Sequence, residues 1–185
     1  MFRFNVRKTL GMLVAGLVLA VAAKAYALSD AELINEANET KALFNKTDPG
    51  LAAFAERAPG YVVFPGIGKA GIGIGGAHGH GVVYKQGQPI GKASVTQVSV
   101  GAQLGAQEYA EIIFFATHDA LSNFMKGNFK FSGSVSAVAL KSGASANAKY
   151  QDGVVVFTAT KGGLMLEASV GGQKFNFEPF MVLKK

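Results

Sequence analysis

The chain has 185 residues, of which 49% are hydrophobic and 16% charged, with no cysteine and a formal net charge of +6. This length and composition indicate one domain with a sizeable core and exclude an intrinsically disordered protein. Without cysteine there is no disulfide, no thiol nucleophile, no zinc-thiolate site and no lipid-modified N-terminal cysteine.

The first 27 residues are predicted to be a cleaved secretory signal peptide. Three basic residues precede an apolar run over residues 10–23, and a small-residue A-x-A site follows at residues 25–27. The run is shorter than the about 20 apolar residues that cross a bilayer, which argues against an uncleaved anchor. We therefore expect one domain over residues 28–185, exported to the periplasm or the outer-membrane periphery.

Cleavage would also change the charge of the protein. Four of its 18 Lys and Arg residues lie in the predicted signal peptide, so the expected net charge falls from +6 to +2. Nucleic-acid binding requires a dense basic surface, and a net charge of this size gives little support for it. No nucleic-acid partner is predicted.

Two helices are predicted at the start of the domain. Ser29 and Glu32 fit a capping box that opens a helix ending near Lys46. Asp48, followed by proline in the first turn, predicts a second short helix that runs to about Arg57. Together they form a helical hairpin.

Period-two patterns after residue 60 predict strands. In the clearest one, residues 94–106, the apolar face is expected to contain Thr96 and Val98, and the small or polar face Val95 and Gln97. Further candidate strands are residues 61–64, 81–85, 111–116, 129–140, 154–160 and 164–170, with a hairpin turn at residues 151–153. One short helix, His118 to about Lys126, interrupts them behind the cap residue Thr117.

These elements predict an α+β fold class. Its core is expected to be a curved, mostly antiparallel β-sheet or a barrel-like sheet. The N-terminal helical hairpin and the one further short helix pack on it.

The glycine-rich stretch FPGIGKAGIGIGGAHGHG, residues 64–81, contains the G-x-G-x-x-G pattern at Gly66, Gly68 and Gly71. A dinucleotide site also needs a helix after the glycines and an acidic residue about 20 positions on, and neither is present. A P-loop does not fit either, so no nucleotide or other cofactor is predicted. Glycine at alternate strand positions instead permits a bent sheet or the close approach of another backbone.

The segment between Arg57 and Gln107 contains no Asp or Glu. It holds four cations, Arg57, Lys69, Lys85 and Lys92. A face that gathered them would attract an anion such as a lipid phosphate. The alternative is a set of unrelated, solvated side chains.

His78 and His80 would share one face of a strand and could supply two metal ligands. A stable site needs a third and usually a fourth ligand, and no acidic residue lies near in sequence. No metal site is predicted. The pair could instead gain charge at mildly acidic pH and act as an auxiliary part of a cationic patch.

The best candidate for a catalytic group of residues is Glu108, Glu111, His118 and Asp119. The two glutamates cannot share a face of one continuous strand, and an acidic residue in the first turn of a capped helix is explained by the helix dipole. No serine lies in a G-x-S-x-G motif. No catalytic site is predicted, and the protein is not expected to be an enzyme.

Several blocks of the sequence resemble the SYLF lipid-binding domain family in its bacterial, secreted branch. They are GYVVFPGIGKAGIGIGGAHGHGVVY, VSVGAQLGAQEYAEIIFF, a helix with AL..F, and TKGGLMLEASVGGQKF, and they cover about Leu33 to Phe180. The resemblance implies a non-enzymatic domain that associates with phospholipids. Eukaryotic members also bind phosphoinositides and, in yeast, actin filaments. Actin is not expected as a partner of an exported bacterial protein.

One feature departs from this family. Phosphoinositide-binding members use a basic amphipathic N-terminal helix, but the first turns of the helix here are acidic. The predicted function is therefore binding of anionic phospholipid through a glycine-rich, cationic surface, with Lys69, Lys85, Lys92 and Arg57 as headgroup contacts. The alternative is a structural or protein-interaction module of the periplasm or outer membrane without specific lipid binding.

Overall fold

The computed structural model describes residues 29–127, 129, 131, 135–161 and 172–181. Its helices are α1 (Asp30–Thr47), α2 (Leu51–Arg57), α3 (His118–Met125) and a short 3-10 helix (Ala144–Asn147). Its strands are β1 (Gly60–Lys85), β2 (Gln88–Phe115), β3 (Ala137–Ala139), β4 (Val154–Thr160) and β5 (Gln173–Pro179). The predicted signal peptide and the predicted strand over residues 164–170 lie outside the described residues.

Helix α1 begins at the predicted capping box. The Ser29 hydroxyl accepts a hydrogen bond from the Glu32 backbone N–H at 3.3 Å, and the Glu32 carboxylate accepts one from the Ser29 backbone N–H at 2.8 Å. These two bonds satisfy backbone donors that have no partner inside the helix. The hydrogen bond from the Ser29 backbone, followed by that from its hydroxyl, lowers the pKa of Glu32.

Helix α2 differs from the prediction at its start. It begins at Leu51, behind Gly50, whereas Asp48 was expected to cap it. Asp48 instead ends α1, and its carboxylate binds across the fold. The Ser145 backbone N–H donates to it at 2.6 Å, the Ser145 hydroxyl at 2.8 Å and the Gly50 N–H at 3.1 Å. This buried clamp joins the α1–α2 loop to the 3-10 helix.

Replacing Asp48 with asparagine is expected to lower the free energy of unfolding by roughly 2–3 kcal/mol, because hydrogen bonds to a charged acceptor are lost. Urea denaturation at pH 7 measures the change. Ser145→Ala is the matched control, with a loss of about 1 kcal/mol, because it removes only the hydroxyl donor. Equal stability of wild type and Asp48→Asn would contradict the clamp.

The same clamp predicts an acid-dependent loss of stability. Burial alone would raise the pKa of Asp48, but hydrogen bonds from Ser145, Gly50 and Gly143 bring it below the usual value of 3.8. A lowered pKa in the folded state gives stability that is present above the unfolded pKa and lost as pH falls below it. Asp48→Asn should lack this contribution to acid unfolding.

Strands β1 and β2 form one long antiparallel hairpin. Their pairing runs from Gly60 opposite Phe115 to Lys85 opposite Gln88. The connecting residues Gln86 and Gly87 have φ values of 51° and 76°, as a type I′ turn requires. The predicted strands over residues 61–64 and 81–85 are therefore the two ends of β1, and those over residues 94–106 and 111–116 both lie in β2.

The two ends of β1 lie against each other. A Cβ atom built on Gly60 would lie 2.6 Å from the Tyr84 carbonyl oxygen, and one built on Gly81 would lie 2.6 Å from the Val63 oxygen. Gly60 lies near Tyr84, whereas Val63, further along the first end, lies near Gly81, which is earlier in the second end. The two ends of β1 therefore run antiparallel. Register shifts between Phe64 and Ile67 and between Ile72 and Ile74 accompany this bend of the hairpin. The predicted use of glycine for close backbone approach is confirmed.

Two of the remaining strands, β4 and β5, pair with β2, and β3 extends the sheet beyond β4. Strand β4 pairs with residues 109–115 of β2 and β5 with residues 91–97, both antiparallel, while β3 pairs parallel to β4. Among the described strands the order is β1-β2-β4-β3 with β5 on β2, and no pairing closes it into a barrel. The α+β class with a mostly antiparallel sheet is confirmed.

Hydrophobic cores lie on both faces of the sheet. On one face α1 contributes Leu33, Ala37 and Phe44, which pack with Tyr61 and Tyr84 of β1. On the other, α3 packs through Leu121 and Phe124 against a cluster rich in aromatic rings that includes Phe115, Phe131 and Phe175. Within the described residues, no helix has both the length and the hydropathy to cross a membrane.

The buried face of β2 is the opposite of the one predicted around residue 96. Val95 and Gln97 are buried, whereas Val98 is 70% exposed and Thr96 is also exposed. Gln97 lies directly opposite Gln173 of β5. Gln173 in turn donates to the Tyr109 hydroxyl at 3.3 Å and to Glu111 at 3.2 Å. These four residues form the interior polar cluster, which is why a polar face of this strand points inward.

Other differences concern short segments. Of the strand predicted over residues 129–140, the described part is strand only at Ala137–Ala139. The predicted turn at residues 151–153 is present, because Asp152 and Gly153 have φ values of 48° and 81° and two backbone hydrogen bonds join Gln151 to Val154. Gln151 and Val154 form an isolated antiparallel β-bridge, with no further pairing beyond these two residues.

Candidate functional site

The middle of the β1–β2 hairpin carries no charged residue. Residues 70–77 of β1 pair with residues 97–106 of β2, and we call this segment the uncharged ribbon. Gly76 lies opposite Val98, which is 70% exposed. A single exposed valine is ordinary on a protein surface, but here it lies in a paired segment that has no charged side chain to keep in water.

Charged groups border one end of this ribbon. Lys69 lies opposite Gln107, and Gly68 lies opposite Glu108. Glu108 forms an ion pair with Lys161, at 3.6 Å between Nζ and Oε1. Lys69 is thus the lysine of β1 that adjoins the uncharged ribbon directly.

The other predicted lipid-contact cations lie elsewhere. Lys85 is the exposed last residue of β1, and Arg57 is the exposed last residue of α2. Lys92 lies on β2 between two carboxylates, 3.6 Å from Asp30 and 3.5 Å from Glu178. Its charge is therefore largely balanced locally.

The structure does not bring these cations onto one face. Strand alternation places Lys69 on the same side as Ile67, which belongs to the α3 side of the sheet. Lys92 lies opposite Val82, which is buried on the α1 side. Lys69 and Lys92 therefore do not share a cationic face. The role of each cation in lipid contact stays a prediction.

His78 and His80 form a close pair on β1. Their Nε2 atoms are 3.2 Å apart, and their rings are nearly perpendicular, with centroids 4.9 Å apart. Both side chains are partly exposed. Burial lowers the pKa of His80, and His78 and Lys92 lower it further, which works against the predicted gain of charge in mild acid.

The candidate catalytic residues do not converge. Glu111 is fully buried in the interior polar cluster, whereas Glu108 is exposed and paired with Lys161. His118 and Asp119 lie in the first turn of α3, behind the Thr117 cap, whose hydroxyl accepts from the Ala120 N–H. Within the described ranges, no group of three or more His, Asp or Glu side chains could hold a metal ion.

Sequence reasoning did not identify the uncharged ribbon as a site. The signal was available, because residues 70–84 and 93–107 contain no Lys, Arg, Asp or Glu. The prediction from the sequence uses only the absence of acidic residues in this segment. The pairing of the two segments, and the exposure of Val98, are visible only in the fold.

Comparisons with known proteins agree with the resemblance. Residues 96–179 match the model of the Ysc84 family, described as "Las17-binding protein actin regulator". Beta cell expansion factor A of Aeromonas veronii is 26% identical over 136 residues, which are 72% of this chain and 51% of that protein. The chain thus spans about half the length of this curated relative. Residues 96–179 of this chain thus match the Ysc84 (SYLF) family, the family that the sequence resembles.

Proposed function

We propose that this protein is a non-enzymatic lipid-binding domain of the cell envelope. It associates with anionic phospholipid by placing the uncharged ribbon against the membrane interface, with Lys69 at the border of the contact. The observation that carries this proposal is the exposed Val98 within a paired segment that has no charged residue.

The ribbon suits an interface on energetic grounds. A charged side chain loses favourable hydration when it enters the acyl region, but residues 70–77 and 97–106 contain none. Their pairing in the β1–β2 ladder satisfies the backbone groups that the two strands turn toward each other, which lowers the cost of bringing the ribbon to the interface. Burial of the exposed Val98 side chain adds a favourable apolar contribution.

Electrostatics support an anionic surface as the partner. Lys69 adjoins the ribbon, and a lysine near an anionic leaflet contributes about 1 kcal/mol. Lys85 and Arg57, on other parts of the surface, add attraction over a longer range that salt screens. Lys92 contributes less in this proposal, because Asp30 and Glu178 flank it.

A protein-interaction module is the second candidate. The family description refers to Las17 binding and actin regulation, so a protein partner for this chain is a real alternative. In that case the glycine-rich strands are architecture only, and the exposed Val98 contacts a protein. The two candidates differ in whether the purified domain binds vesicles without any partner.

Vesicle co-sedimentation tests the proposal. The protein is expected to bind vesicles that contain phosphatidylglycerol and to bind less as salt rises. Val98→Asp should weaken binding roughly tenfold or more, because it replaces an apolar contact with a charge. Lys69→Glu should weaken it at least about fivefold at low salt.

A matched control separates this surface from general stickiness. Leu43 of α1 is also an exposed apolar residue, at 54% exposure, but it lies outside the ribbon. Leu43→Asp should bind vesicles like the wild type. Absence of binding at every anionic fraction, or equal binding by the Val98 and Leu43 variants, would reject the proposal and favour the protein-interaction module.

A further inference from the structure

The two histidines of β1 are already spaced as ligands of one metal ion. Zinc binds imidazole nitrogen at about 2.0–2.1 Å with tetrahedral angles, so two ligand nitrogens of one zinc lie roughly 3.3 Å apart. The Nε2 atoms of His78 and His80 are 3.2 Å apart. The distance between these two nitrogens is therefore already that of two ligands on one zinc ion.

Without a metal ion, the contact between the two histidines is a hydrogen bond. At 3.2 Å, one imidazole donates its Nε2–H to the Nε2 lone pair of the other. Metal binding requires both Nε2 lone pairs, so the proton on that Nε2 must move to Nδ1 of the same ring through solvent. The two rings stay neutral, and the exchange releases no net proton.

The surroundings leave room for the remaining ligands. Residues opposite the pair on β2 are small and carry hydroxyl groups, since Thr96 faces His78 and Ser94 faces His80. Both imidazoles are partly exposed, so an ion and its waters can approach from solvent. Lys92 raises the local positive potential, but Asp30 and Glu178 lie within 3.6 Å of its ammonium group and offset it.

We propose that His78 and His80 form a two-histidine site for a divalent transition metal ion such as Zn²⁺, Cu²⁺ or Ni²⁺. Imidazole is a favoured ligand of these ions. Among the described residues, no carboxylate or further histidine can serve as a third ligand. Water or a hydroxyl group therefore completes the coordination, and the ion exchanges readily. The site is independent of the lipid contact proposed above.

Calorimetric titration of the full-length protein with zinc chloride tests the site, using protein purified without a histidine tag. The wild type should show a single site. His78→Ala and His80→Ala should each lose at least about tenfold in affinity, since even second-shell partners of metal ligands are worth 10–100-fold. The matched control is His118→Ala, which removes the third histidine of the chain, at the start of α3, and should bind zinc like the wild type.

A second measurement does not depend on how the variants fold. Electron paramagnetic resonance of the wild type with one equivalent of cupric ion should show nitrogen coupling from two imidazoles. A spectrum with oxygen ligands only, or zinc affinity unchanged in a folded His78→Ala/His80→Ala variant, would overturn the assignment.

Discussion

Replacing Glu111 with glutamine is expected to raise the free energy of unfolding at alkaline pH and to remove most of its decline between pH 4.5 and about 8. Glu111 is fully buried, and burial raises its pKa from 4.5 to about 8, with the hydrogen bond from Gln173 opposing part of the shift. Above that pH the wild type must hold a carboxylate inside an aromatic core. Glutamine has nearly the same shape and cannot ionise.

A proton on Glu111 would give the unsatisfied oxygen atoms around it a hydrogen bond. Gln173 Nε2 donates to Glu111 Oε2, while Glu111 Oε1 and Gln173 Oε1 have no hydrogen-bond partner among the described residues. One proton on Glu111 Oε1 can serve both oxygens, because a carboxylic acid and an amide form a reciprocal pair. In Glu111→Gln the new amide group can donate to Gln173 in the same way.

The sign of the pH effect follows from linkage. A raised pKa in the folded state means that, between pH 4.5 and about 8, the folded protein holds a proton that the unfolded chain has lost. Stability therefore falls as pH rises through this window, by about 1.4 kcal/mol per unit and at most about 5 kcal/mol in total. Below pH 4.5 the wild type and Glu111→Gln should be similar.

Urea denaturation at several pH values between 4 and 9 measures this difference. Glu108→Gln is the matched control, because it removes an exposed carboxylate from the same strand and should not raise the free energy of unfolding at alkaline pH as Glu111→Gln does. A wild-type stability that is constant from pH 5 to pH 8, or that rises, would contradict a neutral Glu111 in the fold.

The interior polar cluster also explains one limit of sequence reasoning. A strand is normally assigned its buried face by the hydrophobic residues it carries, and this rule placed Val98 inside and Gln97 outside. The actual choice depends on Gln173, which lies opposite Gln97 across the β2–β5 ladder. A polar partner so distant in sequence cannot be identified from local periodicity.

Local signals predicted local structure well. The capping box of α1, the Thr117 cap of α3 and the turn at residues 151–153 all use contacts within a few residues, and all are present. Long-range contacts were not predictable in the same way. The sequence predicts Asp48 as a local cap, but its main partner is Ser145, 97 positions away.

In the candidate site, too, some features are visible in the sequence and others only in the fold. The sequence identified the glycine-rich strand and the histidine pair as short patterns, and Lys69 as one of four cations in a segment without acidic residues. It could not tell that Lys92 lies between Asp30 and Glu178, since those carboxylates come from α1 and β5. Absence of nearby acidic residues in sequence is therefore a weak guide to the charge of a surface.

Gly81→Ala is expected to destabilise the protein by about 3 kcal/mol, because overpacking against backbone cannot be relieved by a side-chain rotation. A Cβ atom at this position would lie 2.6 Å from the Val63 carbonyl oxygen and 2.6 Å from the Phe64 ring. Both neighbours are fully buried, and Val63 is held in the ladder opposite Ile112. Relief would require separating the two ends of β1, on which the bend of the hairpin depends.

Gly76→Ala is the matched control on the same strand. A Cβ atom there would have its nearest neighbour at 3.7 Å, the Gln97 carbonyl oxygen, which is an ordinary contact. Alanine also reduces the conformational entropy of the unfolded chain, so this variant should be neutral or stabilised by about 0.5 kcal/mol. Urea denaturation of both variants gives the comparison. Equal stability of Gly81→Ala and Gly76→Ala would mean that the ends of β1 do not touch, and the bent hairpin that positions the uncharged ribbon would have to be abandoned.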